Sequence, residues 1–280
     1  MRARASFAGS LFVVLALTVA PADALAQKKK EATPAAANVD MKPAIQKLSS
    51  SDEAQVKQGL DEIRIKGAAG AAAAPAVGEA LSRGLSLALT QAAIETLGDL
   101  ESEAGSAALA PYCSHRDPTI RRSAAKALVR TRGAPAVTAL RRALSDSDAL
   151  VRSVAASGLG ALKAKDTVGD LFVAFDHRIN ESAASIGQLC QAEQCDKLTE
   201  KLGKLPFDVI TTGLDQILFR PSAEVNDDTK IKVVSRVREL GTMEANRFLR
   251  EVQKRWKPGD SPRVREAIDQ AVLATSGGSQ

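Results

Sequence analysis

Three cysteines and two histidines have the widest chemical reach in this 280-residue chain. Cys190 and Cys195 are spaced C-x4-C. Within one continuous helix, five residues of rise would hold their Cα atoms about 7.5 Å apart along the axis. That is too far for a disulfide. A bridge therefore needs a helix end between them, and otherwise the two are separate thiols. Neither has a histidine close by, so a thiolate–imidazole metal site is not indicated. His115 and His177 are the only imidazoles. A Gly-rich phosphate loop, a G-x-S-x-G elbow and an H-E-x-x-H pair are all missing from the sequence. The residues point to no catalytic set, no metal and no cofactor, and the chain is expected not to be an enzyme.

The elements that would position these residues are set by a repeat. Residues 117–175 contain two copies of one unit, beginning at Asp117 and Asp148, so the period is 31. At that offset Ile120 matches Val151, Arg121 matches Arg152, Ala124 matches Ala155 and Leu128 matches Leu159. Val137, Leu140 and Leu144 then match Val168, Leu171 and Phe175. In the first copy Asp117 suits an N-cap and Pro118 the first helical position. Ile120, Ala124, Ala127 and Leu128 recur at helical spacing. Gly133 and Pro135 interrupt the pattern, and a second helix is predicted from about 136 to 144. One such hairpin cannot bury its apolar stripe alone, whereas stacked copies can, which is the logic of an α-solenoid.

This register gives the reactive residues places. Cys190 aligns with Leu159 near a helix end, and Cys195 falls in the following turn, so a disulfide clipping that turn is feasible. Cys113 aligns with Leu144 and reads as a small buried hydrophobe. His115 and His177 are two periods apart. At the spacing of packed helices they would lie about 20 Å apart, too far to share a metal. Asp117 and Arg121, like Asp148 and Arg152, are four apart and predict a charge ladder. A later unit repeats this spacing with Asp228 and Lys232.

The pattern D-x-x-[IV]-R-x-x-A-x-x-x-L, followed by a second helix with AV-x-x-L, resembles HEAT repeats. Asp117, Arg121, Ala124 and Leu128 carry it in one copy, and Asp148, Arg152, Ala155, Leu159 and Gly160 in the next. The likeness is to bacterial HEAT proteins and phycobilisome-lyase-type proteins. It implies an all-α fold, a right-handed α-solenoid of stacked helical hairpins of the ARM/HEAT type, used mostly as an interaction surface. In many HEAT proteins the second helices line the concave face. Arg141, Arg142, Arg247, Arg250, Lys254 and Arg255 would project there and form one basic groove. Some HEAT-like hydroxylases hold iron with His-Glu pairs. Here His115 precedes Arg116 and His177 precedes Arg178, so that motif is missing.

Along the chain, residues 1–26 read as a cleavable signal peptide. Arg2 and Arg4 precede an apolar run, and Ala24 and Ala26 frame a small-x-small cleavage site. Residues 27–40 read as a flexible linker with a lysine run. The solenoid is expected over 41–275, with about six repeats, and residues 276–280 as a disordered tail. The Ala-Pro-Ala-Val at 74–77 recurs at 134–137. Leu89, Ala93 and Leu97 form a third unit, but Ser86 and Thr90 stand where the ladder aspartate and arginine would be. After Phe175 the register slips, and the stretch up to Pro221 reads as one longer unit with an insertion. A first helix then follows Asn226, its partner spans about 243 to 256, and a last helix opens at Pro262.

Formal charge is only +5, with one Trp and one Tyr, so nucleic-acid binding is not expected. With the leader and the repeats together, the expected function is an exported, periplasmic or secreted, non-catalytic scaffold. It would mediate protein–protein interaction in the cell envelope, with no small-molecule cofactor and no membrane span retained after processing. The alternatives are an accessory or catalytic subunit of an enzyme, of the lyase-like HEAT kind, or a binder of anionic envelope polymer.

Overall fold

Asp52, Asp117, Asp148, Asn226 and Thr242 each accept a hydrogen bond from a backbone N–H in the first turn of the helix that follows, at 2.7–3.2 Å. These caps open five of the fifteen α-helices among the described residues. The computed structural model describes residues 40–276. The expected leader, the linker up to residue 39 and residues 277–280 of the expected tail lie outside them. The helices are α1 (Lys42–Lys47), α2 (Glu53–Arg64), α3 (Ala74–Ser82), α4 (Leu87–Asp99), α5 (Ser106–Leu109), α6 (Pro118–Thr131), α7 (Gly133–Ala143) and α8 (Ala149–Ala161). There follow α9 (Val168–Asp176), α10 (Glu181–Leu189), α11 (Ala192–Thr199), α12 (Phe207–Phe219), α13 (Asp227–Glu239), α14 (Met243–Arg255) and α15 (Pro262–Ser276). Short 3₁₀ segments precede α3 and extend α5 to Ser114.

The helices pack as a two-row α-solenoid. In one row α2, α4, α6, α8, α10 and α12 each contact the next, and α14 packs on α12. In the other row stand α3, α5, α7, α9, α11, α13 and α15. Between the rows lies a continuous core of Ala, Leu, Val and Ile. Ile120 and Val151, one period apart, are both fully buried in it, as are Ala124 with Ala155 and Leu128 with Leu159. Truncating one of these leucines to Ala would cost about 2–5 kcal/mol, because the rows cannot close over the void.

The period also shows in the backbone. Glu101, Arg132 and Lys163 follow α4, α6 and α8 at intervals of 31, and all three have positive φ, at 50°, 64° and 55°. Each lets the chain leave a first-row helix in the left-handed sense that turns it back. At the middle position Gly133 follows with φ 81°, and a Cβ there would sit 2.5 Å from the Glu103 carboxylate.

Two sequence expectations change. Residues 190–222 are not an insertion. They supply α11 and α12, so α2 to α15 form seven hairpins instead of about six. As a result α13 stacks on α11 in the second row, and α14 falls in the first. The last helix also runs through Ser276, where the tail was expected to begin.

Candidate partner-binding face

Second-row helices are short, small-faced and separated by open grooves. One groove of about 390 Å³ lies between α3 and the 106–114 segment, lined by Gly78, Ser82, Ala108 and Tyr112. A larger one of about 1070 Å³ follows between that segment and α7. A third, of about 450 Å³, lies between α7 and α9. The first two share Ala107, Pro111 and His115, and the second and third share Ser145 and Asp146. The three therefore form one run across four successive second-row elements.

The arginines of the expected ladder shape the rim of this run, though not through the pairs expected. Arg121 does not meet Asp117. Its NH1 donates to the carbonyls of His115 and Arg116 at 3.0 and 3.2 Å, clamping the loop that enters its own helix. Arg152 makes the same two bonds one period later, to Asp146 and Ser147 at 2.8 and 3.0 Å. Asp117 and Asp148 are spent on the helix N-termini. Asp148 also pairs with Arg122 of the preceding repeat, and Lys232 pairs with Asp196 at 2.5 Å while Asp228 pairs with Arg263 at 2.9 Å. The reason is geometric: a capping carboxylate is held against backbone N–H groups, while a long arginine reaches the neighbouring repeat.

Arg121 has a carboxylate in reach at Asp146, which accepts from its Nε and NH2 at 2.8 Å each. Burial alone would raise the Asp146 carboxyl, but the Arg121 guanidinium overrides it and holds the group below the ordinary range. The Arg122 guanidinium does the same to Asp148, with help from backbone N–H groups.

The six basic residues expected to share one groove do not. Arg141 and Arg142 are on α7 and line the run of grooves. Arg247, Arg250, Lys254 and Arg255 are on α14, in the opposite row. There Arg255 donates to Asp215 of α12 at 2.6 and 3.0 Å and lies over the Phe219 ring. Lys254 pairs with Glu251, and Arg250 bonds Asn246 and Ser276. The sequence misplaced them because the extra hairpin shifts every later helix by one row.

Cys190 and Cys195 form a disulfide, with Sγ atoms 2.04 Å and Cα atoms 5.3 Å apart. Cys190 is the extended residue that ends α10, and Cys195 is already inside α11, so the bridge spans the turn. Arg220 donates to the Cys190 carbonyl at 2.7 Å, and its own carbonyl accepts from the buried Lys230 ammonium. Burial lowers the Lys230 pKa. Cys113 is buried, and burial pushes its thiol up to about 12. His115 and His177 line different grooves, and no three His, Cys, Asp or Glu side chains among the described residues are grouped to hold a metal.

A second ladder went unread. Arg64 of α2 donates to Glu95 and Asp99 of α4 at 2.7 and 2.6 Å, and Arg130 of α6 donates to Asp99 and Glu101. Arg64 to Glu95 and Asp99 to Arg130 are both one 31-residue step. That offset was available in the sequence, at the opposite ends of the first-row helices from the pattern Asp-x-x-x-Arg. It crosses the unit in which Ser86 and Thr90 replace the other ladder.

Residues 74–160 match the family HEAT repeats. The described helices stack in two rows as an α-solenoid from end to end. Among solved structures, the complex of CpcE and CpcF of phycocyanin lyase from Nostoc sp. PCC7120 is 18% identical, covering 84% of this chain and 94% of that one, with a TM-score of 0.43. A designed armadillo repeat protein is 14% identical, covering 84% of this chain and 100% of that one, with a TM-score of 0.44. Human deoxyhypusine hydroxylase is 15% identical over 84% of this chain and 96% of that one, with a TM-score of 0.36. No curated protein matches the sequence.

Proposed function

We propose that this chain is a non-catalytic HEAT-repeat scaffold that is exported and binds a protein partner in the cell envelope through its second-row face. The run of three adjoining grooves, open across successive repeats, is the observation that supports this best. The second groove is floored by Ala107, Pro111, Ala134 and Pro135, so its floor is open to a partner's backbone while arginines stand at its rim. Export is supported by the basic and apolar leader with its small-x-small site, and it suits a disulfide-bonded turn. The thiol of Cys113 is too basic and too buried to act as a nucleophile at neutral pH, so this residue offers no covalent catalysis.

Affinity purification of the chain from its own envelope fraction, followed by mass spectrometry, tests the reading. The expected result is a co-purifying protein, captured on a mature chain beginning at Gln27. Recovery only from the cytoplasm with residues 1–26 intact, or the absence of any partner, would overturn it.

A further inference from the structure

The charge lining the second and third grooves is strongly unbalanced. Arg116, Arg121, Arg141, Arg142 and Arg152 face two carboxylates, Asp146 and Asp170. Arg121 takes both oxygens of Asp146, and Arg141 takes Asp170 at 2.7 Å. Arg116, Arg142 and Arg152 have no carboxylate partner among the described residues. The periodicity explains Arg152. Asp146 is the residue that neutralises Arg121, and one period further on the same place is held by His177. Arg152 therefore clamps its loop through NH1 alone. Arg116 and Arg142 are exposed at the second groove, beside the hydroxyls of Thr138 and Ser145. The first groove carries no arginine, lysine or carboxylate.

We propose that this run of grooves reads an acidic, extended segment of a protein partner, with an uncharged side chain in the first groove and carboxylates in the second and third. The inference rests on the scaffold reading above and names the partner's chemistry. Adjacent helices of a row are about 8–10 Å apart, and an extended chain advances about 3.3 Å per residue. One groove to the next is thus about three residues, and the recognised pattern is apolar-x-x-acidic-x-x-acidic, in one chain direction or the other. Guanidinium groups suit carboxylates because they can donate in pairs. The small residues of the floor let a peptide backbone come close. A nucleic acid is a poor fit, since Tyr112 is the one aromatic ring along the run other than imidazoles.

The test is fluorescence anisotropy with the full chain and three labelled synthetic peptides of equal length. One has two glutamates three positions apart after a leucine, one has the same residues with the glutamates adjacent, and one has glutamines instead. The spaced peptide is expected to bind at least about tenfold more tightly than the glutamine peptide at low salt, and several-fold more tightly than the adjacent isomer. Its affinity is expected to fall as salt rises. Arg116→Glu and Arg142→Glu are each expected to weaken it about tenfold, and Lys126→Glu, exposed on the other row, to leave it unchanged. Circular dichroism would confirm that all three variants fold. Equal binding of the glutamine peptide, no binding of any peptide, or indifference to Arg142→Glu would overturn the inference. So would displacement of both isomers alike by dextran sulfate, which would mark a polyanion surface instead. An envelope partner that is captured but ignores both arginine variants and salt would sink this inference while leaving the scaffold reading, with the partner held by the uncharged floor of the grooves.

Discussion

The two ends of this solenoid are held together by different physics. From α4 to α9 the chain repeats every 31 residues, with side-chain caps opening α6 and α8, left-handed exits at Glu101, Arg132 and Lys163, and arginines of α2 and α6 that reach the carboxylates of α4. From α10 onward ion pairs such as Lys232–Asp196 and Arg263–Asp228 still link successive second-row helices, but the period is lost and close backbone packing and covalent closure are added. Gly187 of α10 and Gly213 of α12 meet so tightly that a Cβ on Gly187 would sit 2.1 Å from the Gly213 carbonyl oxygen. The disulfide closes the turn beside them, and Arg220 and Lys230 tie that turn to the Trp256 ring. Within the proposed division of labour, the regular half presents the binding grooves and the irregular half is a locked end.

The largest effect that would break this contrast is expected at the glycine crossing. Gly187→Ala must push α10 and α12 apart and should cost about 3 kcal/mol, since the clash is with backbone and cannot be relieved by a rotamer. Gly169→Ala on α9, where a Cβ meets nothing within 4 Å, should change stability by less than about 1 kcal/mol. Chemical denaturation of both variants checks the pair, and comparable losses would erase the distinction between the halves.

Next comes the disulfide. Replacing Cys190 and Cys195 by Ser, or reducing them, removes a short loop closure worth about 2 kcal/mol. The loss is expected to appear in α10 to α13 by hydrogen exchange, with α2 to α9 little changed. Uniform loss along the chain would mean that the halves unfold as one.

The smallest effect belongs to the regular half. Asp99 joins Arg64 and Arg130 across three repeats. Burial alone would raise its carboxyl, but the two guanidinium groups hold it below the ordinary range. A carboxylate with a depressed folded pKa adds stability above its unfolded value, about 3.9, and that stability fades as pH falls through the folded value. Asp99→Asn should therefore cost about 1 kcal/mol near neutral pH, a size typical of a partly exposed network. The gap between variant and parent should close in acid, below about pH 4. A gap that widened in acid would contradict the assignment.

How much of this was legible follows the same division. In residues 117–175 the helix starts, the buried stripe and the pairing of helices could be read because Asp, Ile, Arg, Ala and Leu recur at one offset and each type has a reason to be there. The ladder partners could not, since which carboxylate a long arginine side chain reaches is decided by the stacking of repeats. Arg121 finds Asp146, 25 residues away, instead of Asp117. Beyond Phe175 the signal weakens. α11 is opened by Gln191 and Gln194 in a capping box, without an aspartate, and α12 by Pro206. Both helices were therefore absorbed into one long unit. That single missed hairpin moved α14 to the wrong row and took Arg247, Arg250, Lys254 and Arg255 with it. The proposed binding face was half legible: Arg141 and Arg142 were singled out, whereas Arg116 lies in a loop that carries no helical period.

Hydrogen–deuterium exchange of the oxidised full chain, with and without a bound acidic segment, tests the central claim most directly. Binding through the second-row grooves predicts new protection in residues 107–116 and 134–146, with α14 unchanged. Protection confined to α14, with the groove segments exchanging as before, would contradict the account.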